Sequence, residues 1–155
     1  MALEVFLSYA HQDHTFRSEL DTHLSNLKRQ GIISSWSDGD IVPGTEWRPQ
    51  IMTHLNTAQI ILLLISADFM NSEFCYSIEM TRAIERHKAN EARVLPIIVR
   101  PCDWKGAPFA ELEMLPTKGK PVTRWPSRDE AYANVVQGIR RAIDDLAKHG
   151  TIANP

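Results

Sequence analysis

Strands and helices alternate along this sequence, and the alternation predicts an α/β fold: a flavodoxin-like, doubly wound sheet of five parallel strands in the order 2-1-3-4-5, with helices on both faces. Two observations carry that reading. The run Ile60-Ile61-Leu62-Leu63-Leu64-Ile65 is apolar without interruption, as in a strand covered on both sides within a parallel sheet. Around it, apolar stripes at intervals of three and four residues mark helices. With 155 residues the chain suits one domain with a sizeable core.

The elements follow in order. Glu4-Val5-Phe6-Leu7-Ser8 reads as the first strand. Asp13 is placed to cap a helix carrying the stripe Phe16, Leu20, Leu24 and Leu27, which ends at Lys28, Arg29 and Gly31. Residues 32–36 are the second strand. Residues 37–45 form a loop by their Asp, Gly and Pro content, and Trp47, Ile51 and Leu55 suggest a short second helix. Residues 58–66 are the third strand, followed by a helix from about residue 69 or 72 to residue 88. Residues 93–99 make a fourth strand. The segment 101–119 contains three prolines and two glycines and reads mostly as loop. Residues 120–125 make a fifth, weaker strand. Ser127 and Glu130 fit a capping box ahead of a last helix whose stripe is Tyr132, Val135, Val136, Ile139, Ile143 and Leu146. The domain spans residues 1–149, with 150–155 a tail or the start of a linker.

Composition narrows the function classes. A hydrophobic content of 43%, a charged content of 23% and a net charge of −2 are those of a globular protein with no basic surplus for nucleic acid or an anionic membrane. The apolar run at 60–65 is too short to span a bilayer, and the N-terminus lacks the features of a signal peptide. Cys75 and Cys102 make neither a metal spacing nor a disulfide framework. The six histidines are scattered, with no metal spacing. A reducing cytoplasm is the simplest setting, and no cofactor is expected.

In a sheet of this order ligands bind where strands one and three part company. The bordering loops are residues 8–13 and 66–72, and the second feeds the segment Ser72-Glu73-Phe74-Cys75-Tyr76-Ser77-Ile78-Glu79. A helix starting there sets Ser72, Cys75 and Glu79 on one face, with the Glu79 carboxylate at the crevice. The usual phosphate cradles, GxGxxG and GxxxxGK[ST], are absent. A response-regulator receiver needs acidic residues after strand one and an Asp ending strand three, but Ser8-Tyr9-Ala10 and Ser66 occupy those places.

The motifs instead resemble the Toll/interleukin-1 receptor (TIR) domain, in its bacterial NAD-cleaving branch. Phe6-Leu7-Ser8-Tyr9 is similar to its opening strand, and Asp13 with Phe16 to the start of its first helix. Trp36-Ser37-Asp38 and Ile41-Val42-Pro43-Gly44 resemble the end of its second strand and its BB loop. Ser66 and Ser72 through Glu79 resemble its third strand and the helix that follows. Pro101-Cys102-Asp103-Trp104 resembles the segment after its fourth strand. The likeness runs from Glu4 to Leu146.

The resemblance implies an NAD glycohydrolase that cleaves the nicotinamide–ribose bond, giving nicotinamide and ADP-ribose or a cyclic isomer. NAD+ is then the substrate. It further implies an effector of bacterial immunity or stress signalling, activated by TIR–TIR self-association and serving a fused or separate sensor. Glu79 matches the family's essential glutamate; the position four before it, a Trp in several members, is Cys75 here. A non-catalytic adaptor acting through homotypic contacts is the alternative. Many animal adaptors lack this glutamate, which favours the enzyme.

Each residue also has a plainer reading. Glu79 would otherwise be a solvated helix charge or a partner for Arg82. Cys75 reads as packing beside Glu79 rather than a nucleophile, since no histidine is placed to activate it. Tyr9 is either a strand-end aromatic or, with Ser8 and Ala10, part of the adenine and ribose side of the pocket. His11 could touch ligand phosphates. Asp38 shapes a turn or serves the pocket. Trp47 is weighted towards packing of the second helix, with a pocket role as the minority reading, and Trp36 is taken as core. Ile41, Val42, Pro43 and Gly44 are expected at a subunit contact.

Overall fold

The computed structural model describes residues 2–149; the expected tail at 150–155 lies outside them. Strands β1 (Leu3–Ser8), β2 (Ile33–Trp36), β3 (Ile60–Ile65) and β4 (Arg93–Ile98) form one parallel sheet in the order β2-β1-β3-β4. The α/β class and the order of these strands agree with the sequence reading. β3 is its centre: every residue of Ile60–Ile65 is 0% exposed, because helices cover both faces and neither side of the strand meets water.

Helices α1 (His14–His23), α2 (Ser25–Arg29) and α6 (Arg128–His149) pack on one face. Phe16, Leu20, Leu24, Leu27, Val135, Ile139 and Leu146 there meet Val5, Leu7, Leu62 and Leu64. Helices α3 (Trp47–Thr57), α4 (Ala67–Asn71) and α5 (Thr81–Lys88) cover the other face, where Ile51, Leu55, Phe69, Ala83 and Ile84 meet Phe6, Ile61, Leu63 and Ile65. The expected first helix is thus broken beside Leu24, where the Ser25 hydroxyl donates to Thr22 O (2.5 Å) and competes with the helical ladder. The capping box at α6 is present: Glu130 N donates to Ser127 Oγ (3.1 Å).

The expected fifth strand does not form. Arg93 N and Val99 N donate inward, to Gln59 O and Ile65 O, so Val94, Pro96 and Ile98 turn their backbone to the outer edge. Val94 N is taken by His87 Nδ1 at 3.1 Å. Pro96 has no N–H to offer a neighbouring strand. Leu115 bridges there, its N donating to Pro96 O (2.8 Å) and its O accepting from Ile98 N (2.8 Å), and beyond the strand end Thr123 N donates to Val99 O (3.3 Å). Residues 120–125, expected as the strand, instead hold a 3₁₀ turn at Val122–Arg124 that begins after Pro121. Leu115 is backed by α6 at Gly138, where an added Cβ would lie 2.5 Å from Leu115 Cδ2.

His87 is therefore a structural acceptor on the edge strand, and burial, with the nearby Arg93 charge second, holds its pKa below the ordinary 6.5. The unfolded chain takes up this proton first as pH falls, so its stabilising contribution is full above 6.5 and is lost below. His87→Phe should lower stability at pH 7.5 by about 1–3 kcal/mol, the cost of leaving Val94 N–H unpaired. The gap from the native chain in urea unfolding should narrow towards pH 5.

Candidate active site

Side chains of β1 alternate between the two faces. Val5 and Leu7 enter one core, and Phe6, Ser8 and Ala10 point to the side covered by α3 to α5. Ser8 is thus a hydroxyl between the apolar side chains of Phe6 and Ala10. Its partner comes from the chain after β3. The single helix expected there is interrupted: α4 ends at Asn71, Ser72 is extended, and Glu73–Met80 is wound as a π-helix before α5 begins. Such stretches are frequent at functional sites. Ser72 caps this segment, its Oγ accepting from Cys75 N (3.1 Å). Cys75 and Glu79 both turn inward, 5% exposed each. Ser8 Oγ donates to Glu79 Oε1 at 2.7 Å, and the Cys75 thiol donates to Tyr9 O at 3.3 Å.

Burial dominates the electrostatics. Loss of water pushes Glu79 up to about 7; the hydrogen bond from Ser8 pulls it back, the Asp38 charge raises it further, and Cys75 lowers it. The Cys75 thiol is pushed up to about 12 by burial, then by Glu79, which leaves it protonated and inert as a nucleophile. Tyr9, 6% exposed, is raised to about 12 by burial and by Asp38.

Beside this buried group lies a cleft of about 560 Å³, lined by Tyr9, His11, His14, Arg17, Asp38, Gly39, Ile41, Trp47 and Ile51. Asp38 opens a short 3₁₀ turn, Asp38–Asp40, fixed by the reciprocal Ser37–Asp40 capping box. Its Oδ1 is buried with no hydrogen-bond partner among the described residues, and so is Arg17 Nε. The Arg17 guanidinium lies over the Tyr9 ring at 5.5 Å. Trp47 is 51% exposed and meets Phe74 edge-on at 5.3 Å.

The expected site residues therefore fall into two sets. Ser8, Cys75 and Glu79 form the buried cluster, capped by Ser72, with Ala10 buried nearby. Tyr9, His11, Asp38, Ile41 and Trp47 border the cleft. Glu79 does not line the cleft. The sets meet at Tyr9, whose carbonyl takes the Cys75 thiol, and at Asp38, whose charge acts on both Cys75 and Glu79. Val42, Pro43 and Gly44 are exposed on the loop before α3, and Gly44 has φ 87°, a conformation that favours glycine. Among the described residues no group of three His, Cys, Asp or Glu side chains is placed to hold a metal ion.

Three readings change. Asp13 makes no helix cap with its side chain; fully buried, it accepts from Ser66 Oγ and from Arg100 (3.0 Å to Nε), which also reaches Asp68 at 2.6 Å. A buried carboxylate takes charged and hydroxyl donors before a backbone amide already satisfied by its turn. Trp47 sits at the solvent-facing first turn of α3, so packing is left to Ile51 and Leu55. Trp36 is half-buried at the margin of the core, packed on Phe6 (5.7 Å) within it and stacked on His54 (4.1 Å). Arg17, His14 and Arg100 were not singled out in the sequence. Arg17 follows Phe16 directly on α1, which is the one local sign that it borders the core.

The β1–α1 loop, the loop after β2 and the helix after β3 thus converge on one corner. A model of the TIR domain matches residues 5–143. The chain belongs to the TIR domain family. It is 51% identical over 144 residues to a protein of Sinorhizobium fredii (strain NBRC 101917 / NGR234) described as uncharacterized protein y4lF; the match takes in 93% of this chain and 45% of the relative. The chain thus spans about half the length of that relative. In fold it is similar to the TIR domain of the Toll-related receptor TRR-2 from Hydra magnipapillata, with TM-score 0.61 and 22% identity over 88% of this chain and 97% of that one. It is also similar to the TIR domains of the activated Roq1 resistosome, with TM-score 0.51 and 23% identity over 61% of this chain and 56% of that one.

The ionisation of Glu79 can be read without any ligand. By NMR titration of labelled glutamate carboxyls, Glu79 should titrate near 7. Asp38→Asn should lower that midpoint and Ser8→Ala should raise it. Because the folded value lies above the ordinary 4.5, the contribution of this group to stability is full below 4.5 and is lost as pH rises through 7. Glu79→Gln should therefore stabilise the fold at pH 8, by roughly 0.5–2 kcal/mol, measured by thermal unfolding.

Proposed function

We propose that this TIR domain is an NAD+ glycohydrolase of the bacterial NAD-cleaving type, with Glu79 as its catalytic carboxylate. The observation that supports it most is a buried glutamate poised near neutrality, held by Ser8 beside a cleft with both an aromatic and a polar wall. Nicotinamide in NAD+ already carries the positive charge of a good leaving group. When the bond from ribose C1′ to the ring nitrogen breaks, the electron pair leaves with neutral nicotinamide. The positive charge develops on the ribose, through an oxocarbenium-like transition state. One ionised carboxylate facing that charge stabilises it without a general acid. Water then adds at C1′ and loses a proton to give ADP-ribose; attack on C1′ by a nucleophile within the ADP-ribosyl fragment left behind gives a cyclic isomer instead. In this reading Tyr9, Asp38 and Trp47 hold the nucleotide and Ser8 orients Glu79.

Because Glu79 is 5% exposed and set behind the cleft, the wall at Tyr9 and Asp38 has to shift before a ribose reaches it. Val42, 60% exposed, and Trp47 are apolar tips on the segment that carries this wall. Self-association through residues 41–44 is accordingly part of the proposal, as is a role in immune or stress signalling in the cytoplasm. The TIR domains of Roq1 also act within an assembly, the resistosome. Those exposed tips equally suit the second reading, an adaptor that works by TIR–TIR contact alone.

Concentrated protein incubated with NAD+ should release nicotinamide, at a rate per molecule that rises with protein concentration or on enforced clustering. Glu79→Gln should cut kcat/KM on the order of 100-fold or more while the fold is retained. In the native chain kcat/KM should rise as pH passes about 7, the value at which Glu79 ionises. Undiminished release by Glu79→Gln would remove Glu79 from the chemistry. No release even from an enforced oligomer would leave the adaptor.

A further inference from the structure

The π-helix that carries Glu79 is held from two directions. From β1, Ser8 takes the carboxylate and Tyr9 O takes the Cys75 thiol. From α3, the first turn grips Phe74. Its ring stands edge-on to Trp47 with centroids 5.3 Å apart. The Arg48 guanidinium lies 5.5 Å from the Trp47 centroid and 5.3 Å from that of Phe74, so one cation spans both rings. Each such contact is modest at an exposed site, but the three share one cluster and reinforce one another.

Phe74 is well placed for that grip to bear on Glu79. A π-helix pairs backbone groups five residues apart, and within Glu73–Met80 the residue five before Glu79 is Phe74. Cys75, whose thiol reaches β1, is its direct neighbour. A backbone form this rare persists where its surroundings fix it. Ser72 does so at the start, through Cys75 N, and the α3 cluster does so one residue earlier in the chain than Cys75. We infer that Phe74, clasped by Trp47 and Arg48, is a positioning residue that keeps Glu79 turned onto Ser8. The inference rests on the NAD-cleavage reading for the reaction it serves. It adds two residues, Phe74 and Arg48, that do not border the cleft. The groups that act on the Glu79 charge are Ser8, Asp38 and Cys75; Arg48 reaches it only through the rings. Opening the clasp lets the π-turn relax and water reach the carboxylate, which weakens the burial that dominates its ionisation. It also loosens the aim of the carboxylate at the ribose.

NMR titration of Glu79 in Phe74→Leu and Arg48→Gln reads this without substrate; Trp47 is left unchanged because its ring also borders the cleft. Each variant should lower the midpoint from about 7 by roughly 0.5 or more. Phe74→Tyr, which keeps the ring, should hold the native value. Ile139→Val, which loosens the core on the opposite face of the sheet, should also leave it in place. With NAD+, Phe74→Leu should lower kcat on the order of tenfold with KM little changed, and its kcat/KM should rise at lower pH than in the native chain. Thermal unfolding checks that each variant is folded. If Phe74→Leu is not, Arg48→Gln on the exposed surface and Phe74→Tyr still decide. An unmoved midpoint in folded Phe74→Leu and Arg48→Gln, or an equal fall in Ile139→Val, would overturn the inference. A lowered midpoint in a protein that releases no nicotinamide sinks NAD cleavage alone. Release that needs Glu79, with the midpoint unmoved in both variants, sinks the clasp alone.

Discussion

The contact between Ser8 Oγ and Glu79 Oε1, 2.7 Å long and buried, is the constraint around which this fold is arranged. Removing a carboxylate from water costs several kcal/mol after relaxation, and one neutral hydroxyl offsets only part of that. Such a site persists only where the surrounding structure is over-determined. The fully buried β3 at the centre of the sheet provides that, since each of its aliphatic side chains adds roughly 1.5–3 kcal/mol. Buried Asp13 and Ser66, with the half-exposed Arg100 and Asp68, add a second polar node at the carboxyl ends of the strands. It fixes the β1–α1 loop against the end of β3. Ser8 is therefore presented from a rigid strand end, not from a free loop.

The backbone of the facing element serves the same end. An uninterrupted α-helix from residue 69 to 88 would satisfy every ladder hydrogen bond. The chain instead stops at Ser72 and winds Glu73–Met80 as a π-helix, a form rare enough that it usually marks a local demand other than regular structure. Here the wide turn carries Cys75 and Glu79 towards β1, and the Ser72 hydroxyl replaces a lost backbone bond at its start. Asp38, on the cleft wall, bears on the charge state. Its carboxylate disfavours ionised Glu79, Ser8 favours it, and burial outweighs both.

Much of this was legible in the sequence because periodicity and apolar runs report burial directly. The run at 60–65, the stripe of α6 and the Ser127–Glu130 cap appear where their patterns put them, and Phe16, Leu20, Leu24 and Leu27 are buried together although the helix breaks at Leu24. Glu79 and Ser8 were each visible, but that they touch was not, since 71 residues separate them and only the fold closes the distance. The fifth strand failed for a reason the sequence did carry: Pro96 sits in the middle of β4, and proline in a strand marks an edge. Pro121, inside the expected fifth strand, argues the same way. Asp13 misled because a cap is a local pattern, whereas its actual partners, Ser66 and Arg100, are distant in sequence. The π-helix leaves no trace in composition, and the unpaired atoms of Arg17 and Asp38 become visible only once burial is known.

The capped sheet edge bears on how copies of the domain can meet. A partner strand added beyond β4 would need outward N–H and C=O groups, but His87, Pro96 and Leu115 have removed nearly all of them. Strand addition on that side is closed. The apolar tips, Val42 and Trp47, offer a different surface. They belong to the same short stretch of chain as Asp38 and Ile41, which border the cleft. A contact that gripped Val42 and Trp47 would therefore act on the wall between solvent and Glu79, because no other element lies between the contact and that wall in the chain. In the proposed reading, coupling of assembly to access follows from this placement: the surface offered to a neighbour adjoins Asp38, one of the two residues that wall off the carboxylate.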